Sequence, residues 1–148
     1  MRALIQRVHW AEVEVAGEVI GRIEAGLLVY VGVAVTDTPA DAKALAGKVA
    51  HIRVFEDAEE KLNLSAGDVG GGILVIPNFT LQADARKGRR PAFVNAMGGQ
   101  AADRLQQAFA DALRAEGRRV EQGRFGANMT IRSAAAGPVN IVVDIPPG

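Results

Sequence analysis

The period of apolar and polar positions changes several times along the 148 residues. Met1 to Val8 is apolar-rich, with Leu4, Ile5 and Val8 interrupted by Gln6 and Arg7, and reads as a strand. Val13 and Val15 alternate with Glu12 and Glu14, the period of a half-buried strand. Ala16-Gly17-Glu18 makes a hairpin-like turn before Val19-Ile20. Ala25-Gly26 turns into Leu27-Leu28-Val29-Tyr30-Val31, an unbroken run that predicts a strand buried on both faces. The period then lengthens: Ala42, Leu45, Ala46, Val49 and Ile52 recur at helical spacing. They follow Thr38 as N-cap, Pro39 at the first helical position and Asp41 closing a capping box. This helix is expected to end near Phe55. Asp57 to Gly67 is polar and turn-rich, with Leu62 and Leu64 as anchors.

The chain's organising stretch is Gly71 to Leu81. A glycine pair leads into Ile73-Leu74-Val75-Ile76, a buried strand. Pro77 stops it, having no N–H for a ladder. Asn78 and Thr80 follow at once, then a basic loop from Ala83 to Pro91. Gly98-Gly99 precede a second helix, about 100–116, with Leu105, Ala108, Phe109, Ala112 and Leu113 as its apolar stripe and Gly117 as its stop. Asn128 to Arg132 alternates as a strand should, and Ile141-Val142-Val143 is a last strand closed by Pro146-Pro147. Without repeats or linkers, residues 1–148 read as one domain: mixed α/β (α+β), a largely antiparallel sheet with two main helices.

Composition narrows the function. At 49% hydrophobic and 23% charged, the chain folds rather than staying disordered. Its formal net charge is zero, so attraction to nucleic acid must come from local clusters. No apolar run reaches the ~18 residues of a membrane span, and the N-terminus lacks a signal-peptide pattern. The absence of cysteine excludes thiolate chemistry and fits a cytoplasmic protein.

Candidate chemistry is sparse. His9 and His51 are the only histidines, and neither has ligand spacing, so no metal is expected. Ser65 and Ser133 are the only serines, and neither sits in a nucleophile elbow. Gly70-Gly71-Gly72 lacks the Lys-Ser/Thr of a phosphate loop and reads as a turn before a strand. Arg86, Lys87, Arg89 and Arg90 put four positive charges in five residues, either a solvated loop or a phosphate-facing patch. Arg118, Arg119 and Arg124 would extend that patch into a basic face. Thr80 is a hydroxyl just after a buried strand, structural or reactive, with no nearby histidine or lysine to activate it. Gly137-Pro138 is a plain turn or, with a cis bond, a pair of carbonyls aimed at an ammonium group.

Several ordered segments then carry a resemblance. They are Ala3-Leu4-Ile5-Gln6-Arg7-Val8, Gly26-Leu27-Leu28-Val29, Asp57-Ala58-Glu59 with Leu62-Asn63-Leu64, and Gly123-Arg124-Phe125-Gly126-Ala127-Asn128-Met129. With them stand Pro77-Asn78-Phe79-Thr80-Leu81, Lys87-Gly88-Arg89-Arg90-Pro91-Ala92-Phe93 and Ala135-Ala136-Gly137-Pro138-Val139-Asn140. Over essentially its whole length the chain resembles the D-aminoacyl-tRNA deacylases. The resemblance implies that family's partially barrel-like fold and a cytoplasmic homodimer without a cofactor. Its activity would be hydrolysis of the ester joining a D-amino acid, or glycine mischarged on tRNA-Ala, to the terminal adenosine of tRNA. It implies a cis Gly137-Pro138 bond that enters the partner's site, holds the substrate ammonium and excludes an L side chain, with Arg7 bracing it. Asn78, Phe79 and Thr80 would line the scissile carbonyl. Phe125, Ala127 and Met129 would pack near the adenine, and Lys87, Arg89 and Arg90 would meet the tRNA. The family's serine and glutamine are Pro77 and Asn78 here, and its asparagine and threonine are Ala135 and Asn140. These departures motivate an alternative, a tRNA-binding relative with altered catalysis. A third reading is an esterase for another small substrate.

Overall fold

The structure, a computed structural model, describes residues 1–146, so Pro147 of the expected closing pair lies outside the described residues. The chain runs β1 (Arg2–Val15), β2 (Glu18–Ile23), β3 (Gly26–Gly32), α1 (Pro39–His51), β4 (Phe55–Glu56), β5 (Leu62–Leu64) and β6 (Gly72–Pro77). A 3-10 turn (Phe79–Gln82), α2 (Gly99–Ala115), β7 (Val120–Gln122) and β8 (Thr130–Asp144) complete it.

β1 organises the sheet. Its first half pairs with β3, its second half with β2, and its whole length with β8, all antiparallel. The β3–β6 and β6–β7 ladders are parallel. Each parallel pair is joined by a long crossover through a helix, which a tight hairpin cannot replace. The expected antiparallel sheet thus holds around β1 and gives way to parallel pairing on the β6 side.

Both faces of the central strands β3 and β6 are buried, as the run Leu27–Val31 predicts. Leu27, Val29, Val31, Ile73 and Val75 pack under Leu45, Val49, Phe109 and Leu113 of the two helices. Leu28, Leu74 and Ile76 face the other way and meet Val8, Val13 and Ile23. That second core exists because the sheet curls on itself: a Cβ on Gly21 of β2 would lie 3.2 Å from the Gln122 carbonyl of β7. Gly26 and Gly72 cross so closely that a Cβ on Gly26 would overlap the Gly72 carbonyl oxygen, which accounts for the glycine-rich start of β6.

The expected strands 128–132 and 141–143 are one strand, and so are Met1–Val8 and Val13–Val15. Bulges hide this continuity. Gln6 pairs with Asn140 and Val8 with Ala135, so Arg7 alone stands opposite Ala136–Val139. Trp10 then pairs with Ala134, leaving His9 unmatched. One unmatched residue flips the side-chain parity of a strand. Ala3 and Ile5 accordingly face the helices, whereas Ala11 and Val13 face the inner core.

α1 opens as predicted: the Asp41 carboxylate accepts the Thr38 N–H at 2.8 Å and the Thr38 hydroxyl at 2.9 Å. It ends at His51, short of Phe55, where the Arg118 guanidinium takes the Ala50 carbonyl at 3.0 Å and Ile52 turns extended. Phe55 instead opens a small ribbon with β5, and Leu62 is too exposed to anchor the core. In α2, Ala108 and Ala112 are only partly buried, while Gln106 and Ala110 join the buried face. Gly117, at φ +80°, ends the helix as expected.

Candidate functional site

The ends of β3 and β6 hold the first cluster. The Asn78 N–H donates to the Val31 carbonyl at 2.8 Å, and Gln82 Nε2 to that of Gly32 at 2.9 Å, so the 79–82 turn is clamped onto β3. Gly32 must be small here, since a Cβ would sit 3.0 Å from Leu81 Cβ and 3.1 Å from the Asn78 carbonyl oxygen. Pro77 is the last residue of β6, pairing with Val31, rather than a residue beyond it. The Thr80 hydroxyl donates to Asn78 Oδ1 at 2.7 Å. The Phe79 and Thr80 N–H groups open the turn and meet no backbone acceptor among the described residues, as first-turn donors do. Phe79 is 47% exposed, with its ring 5.4 Å from that of Phe93.

Two concavities flank this turn. One, about 350 Å³, is lined by Arg2, Gln82, Asp84, Arg86 and Asn95. The other, about 300 Å³, lies against Pro77 and is walled by Gln106 and Gln107 of α2 with Gln122, Gly123, Arg124 and Phe125. Met129 packs against Gly123, and the Ala127 N–H closes a turn on the Arg124 carbonyl at 3.2 Å. Phe125 thus lies on the cavity beside Pro77, at the end of the strand that leads to Asn78, Phe79 and Thr80, whereas Met129 packs on the opposite core and Ala127 stays in its own turn.

The basic loop grows out of the same turn. Backbone hydrogen bonds of 2.8 Å between Asp84 and Ala92 close it into a hairpin, and Phe93 then returns to Phe79. Arg86 is spent internally. Its guanidinium grips Asp84 at 2.7 and 2.9 Å, and with the Arg86 N–H it pulls the Asp84 carboxyl down to about 2. Lys87, Arg89 and Arg90 are exposed and make no ion pair among the described residues.

The second cluster is elsewhere. The four-residue bulge Ala136–Val139 projects from β8, which pairs only with β1 among the described residues. Arg7 braces it: Nε donates to the Ala136 carbonyl at 3.1 Å and Nη1 to that of Val54 at 3.0 Å, with Glu56 at 3.8 Å. The Gly137-Pro138 bond is cis, Gly137 has φ +131°, and both residues are exposed. The resemblance joins this stretch and the 79–82 turn in one site, but within one chain they are apart. Arg2, paired with Gly32, reaches Leu81, whereas Arg7 lies five residues further along β1, roughly 16 Å at the rise of a strand.

Three further candidates, His51, Ser65 and Arg118, have structural partners. His51 pairs with Glu116 on the surface at 2.8 Å, and the Ser65 hydroxyl accepts the Asp68 N–H. Arg118 is engaged with the helix ends, so it does not extend the basic loop. Sequence reasoning misses Gln106, Gln122 and the Asp84–Arg86 pair. For the last of these one signal is available, an aspartate two residues before an arginine at the mouth of a loop, the spacing of an Asx turn.

Residues 4–144 match the family model described as D-Tyr-tRNA(Tyr) deacylase. Relatives named D-aminoacyl-tRNA deacylase include one from Chloroflexus aurantiacus, 53% identical over 97% of this chain and 90% of its own length. One from Deinococcus deserti is 49% identical over 99% of this chain and 100% of its own length. Among solved structures, the c-Myc DNA unwinding element binding protein superposes with a TM-score of 0.91 at 35% identity, covering 97% of this chain and 98% of its own. A probable eukaryotic D-amino acid tRNA deacylase shares the fold, with a TM-score of 0.84 at 18% identity over 96% of this chain and 97% of its own. The fold and these matches define a deacylase of the aminoacyl-tRNA class. The chain belongs to the D-Tyr-tRNA(Tyr) deacylase family.

Proposed function

We propose that this chain hydrolyses the ester between a D-amino acid and the 3′-terminal adenosine of tRNA, and that it accepts glycine, as on mischarged tRNA-Ala. The observation that carries this reading is the 79–82 turn, with two N–H groups that meet no acceptor among the described residues beside a threonine hydroxyl already given to Asn78. Such a site suits an activated ester. Water attacks the acyl carbon, the Phe79 and Thr80 N–H groups receive the oxyanion, and collapse releases the ribose 3′-oxygen, which takes a proton. The neighbouring ribose 2′-hydroxyl helps to activate the water. Thr80 positions the substrate rather than attacking it, since no histidine or lysine takes its proton among the described residues.

Chiral selection falls to Gly137 and Pro138 of a second copy in a homodimer. Support comes from their placement on an exposed bulge, about 16 Å along β1 from the turn of their own chain. Phe125, Ala127 and Met129 take the terminal adenosine, and Lys87, Arg89 and Arg90 take tRNA phosphates. Thr80→Ala tests the chemistry. Turnover of D-aminoacyl-tRNA retained within about tenfold fits a positioning hydroxyl, and a fall to the uncatalysed rate would mark a nucleophile.

Pro77, Asn78, Ala135 and Asn140 favour a second reading, a tRNA-binding relative with altered catalysis. Binding of D-aminoacyl-tRNA without turnover would establish it.

A further inference from the structure

Asn78 stands at the N-cap of the 79–82 turn, with Phe79, Thr80 and Leu81 as the first positions inside it. An N-cap side-chain oxygen ordinarily accepts the second or third N–H of the turn, and asparagine is among the residues best suited to do so. The third is already taken, since the Leu81 N–H donates to the Asn78 carbonyl at 3.2 Å. That leaves the Thr80 N–H for capping, yet the Asn78 side chain makes no cap. Its Oδ1 holds the Thr80 hydroxyl instead, at 2.7 Å. An amide oxygen only accepts, so the hydroxyl is the donor. The Asn78 backbone is pinned, its N–H donating to the Val31 carbonyl at 2.8 Å, so the side chain alone decides which Thr80 donor is served. Phe79 and Thr80 are both exposed, and their N–H groups meet no acceptor among the described residues.

Two donors of one residue thus compete for one acceptor, and the rotatable hydroxyl wins over the fixed N–H. We propose that the Thr80 hydroxyl is a decoy: by engaging Asn78 Oδ1 it keeps the capping oxygen off the Thr80 N–H, which stays free to receive the oxyanion of the substrate. Thr80 is then a positioning residue that acts through the turn, and Asn78 is the group it restrains. Without the hydroxyl, Asn78 swings onto the Thr80 N–H and the turn becomes an ordinary capped one with a donor fewer. The asparagine makes this restraint necessary in the present chain, because the glutamine of the family is not among the capping residues. The use of the freed N–H rests on the deacylase reading; its being free does not.

Amide hydrogen exchange of the full chain without substrate reads the N–H directly. In the wild type the residue-80 amide should exchange about tenfold or more faster than that of Leu81, whose acceptor is in place. Thr80→Ser should keep that fast exchange. Thr80→Ala should slow it by about threefold or more, and the Thr80→Ala/Asn78→Ala pair should restore it. Single-turnover hydrolysis of D-aminoacyl-tRNA is the second readout. Thr80→Ala should lower the rate about three- to tenfold, and adding Asn78→Ala to it should raise the rate again by about threefold. Side chains that merely touched substrate or braced the turn would leave the double variant as slow as Thr80→Ala or slower. A double variant no faster than Thr80→Ala overturns the proposal. So does a wild-type residue-80 amide as protected as that of Leu81, an arm that needs no variant to fold. The expected exchange pattern without hydrolysis of any ester would sink the deacylase reading and leave the decoy standing; hydrolysis with a protected residue-80 amide would do the reverse.

Discussion

Gly137→Ala is the perturbation the bulge tolerates least. A Cβ there would stand 2.7 Å from the Val139 nitrogen, 3.0 Å from Val139 Cγ2 and 3.3 Å from Arg7 Nη2. The first contact is with backbone and the third with a side chain pinned by two hydrogen bonds, so neither yields cheaply. The residue also holds φ +131°, which an L side chain rarely adopts. Backbone strain of this kind costs roughly 1–3 kcal/mol. Gly137 is exposed, so the bulge can relieve the strain by moving without unfolding the sheet. The cost then falls on the competent bulge conformation, a factor of about 5 to 150 in D-aminoacyl-tRNA turnover. Single-turnover deacylation of matched D and L substrates, alongside thermal melting, measures it. The expected result is that drop for the D substrate, or measurable L hydrolysis, at a nearly unchanged melting temperature. D turnover within twofold of wild type with L still untouched would refute the reasoning.

Arg7→Leu removes charge-assisted hydrogen bonds to the Ala136 and Val54 carbonyls, each worth about 1.5–3 kcal/mol, and should lower both denaturation midpoint and D turnover. An unchanged midpoint would mean that the bulge stands without its brace. Replacing Lys87, Arg89 and Arg90 together by alanine should make tRNA binding less sensitive to salt, its log–log slope shallower by about 0.7–0.9 for each phosphate no longer neutralised; an unchanged slope would remove the loop from the tRNA interface. For the loop itself, the folded Asp84 carboxyl lies at about 2, below its ordinary 3.8. Its hold on Arg86 is therefore complete above about pH 4 and is lost as pH falls toward 2. Carboxyl chemical shifts should follow that titration, and Arg86→Ala should return it toward the ordinary value; no change on removing Arg86 would contradict the assigned cause.

Local signals are the most legible part of the sequence. Thr38 and Asp41, Gly117 and the unbroken run Leu27–Val31 all reappear where their chemistry puts them. What stays hidden depends on partners far along the chain. The bulges at Arg7 and His9 break the alternation of β1 and β8, so two long strands read as four short ones. Gln106 looks like a surface position on a helix until Val31, 75 residues away, supplies its partner. The sequence names Thr80 and Gly137 alike, but their separation within one chain follows from strand register, which no local pattern carries.

The most direct measurement is hydrolysis of matched D- and L-aminoacyl-tRNA by the purified chain, with glycyl-tRNA alongside. The account predicts rapid turnover of the D ester and of glycyl-tRNA with the L ester untouched. Equal turnover of D and L esters, or tight binding with no turnover of either, would contradict it.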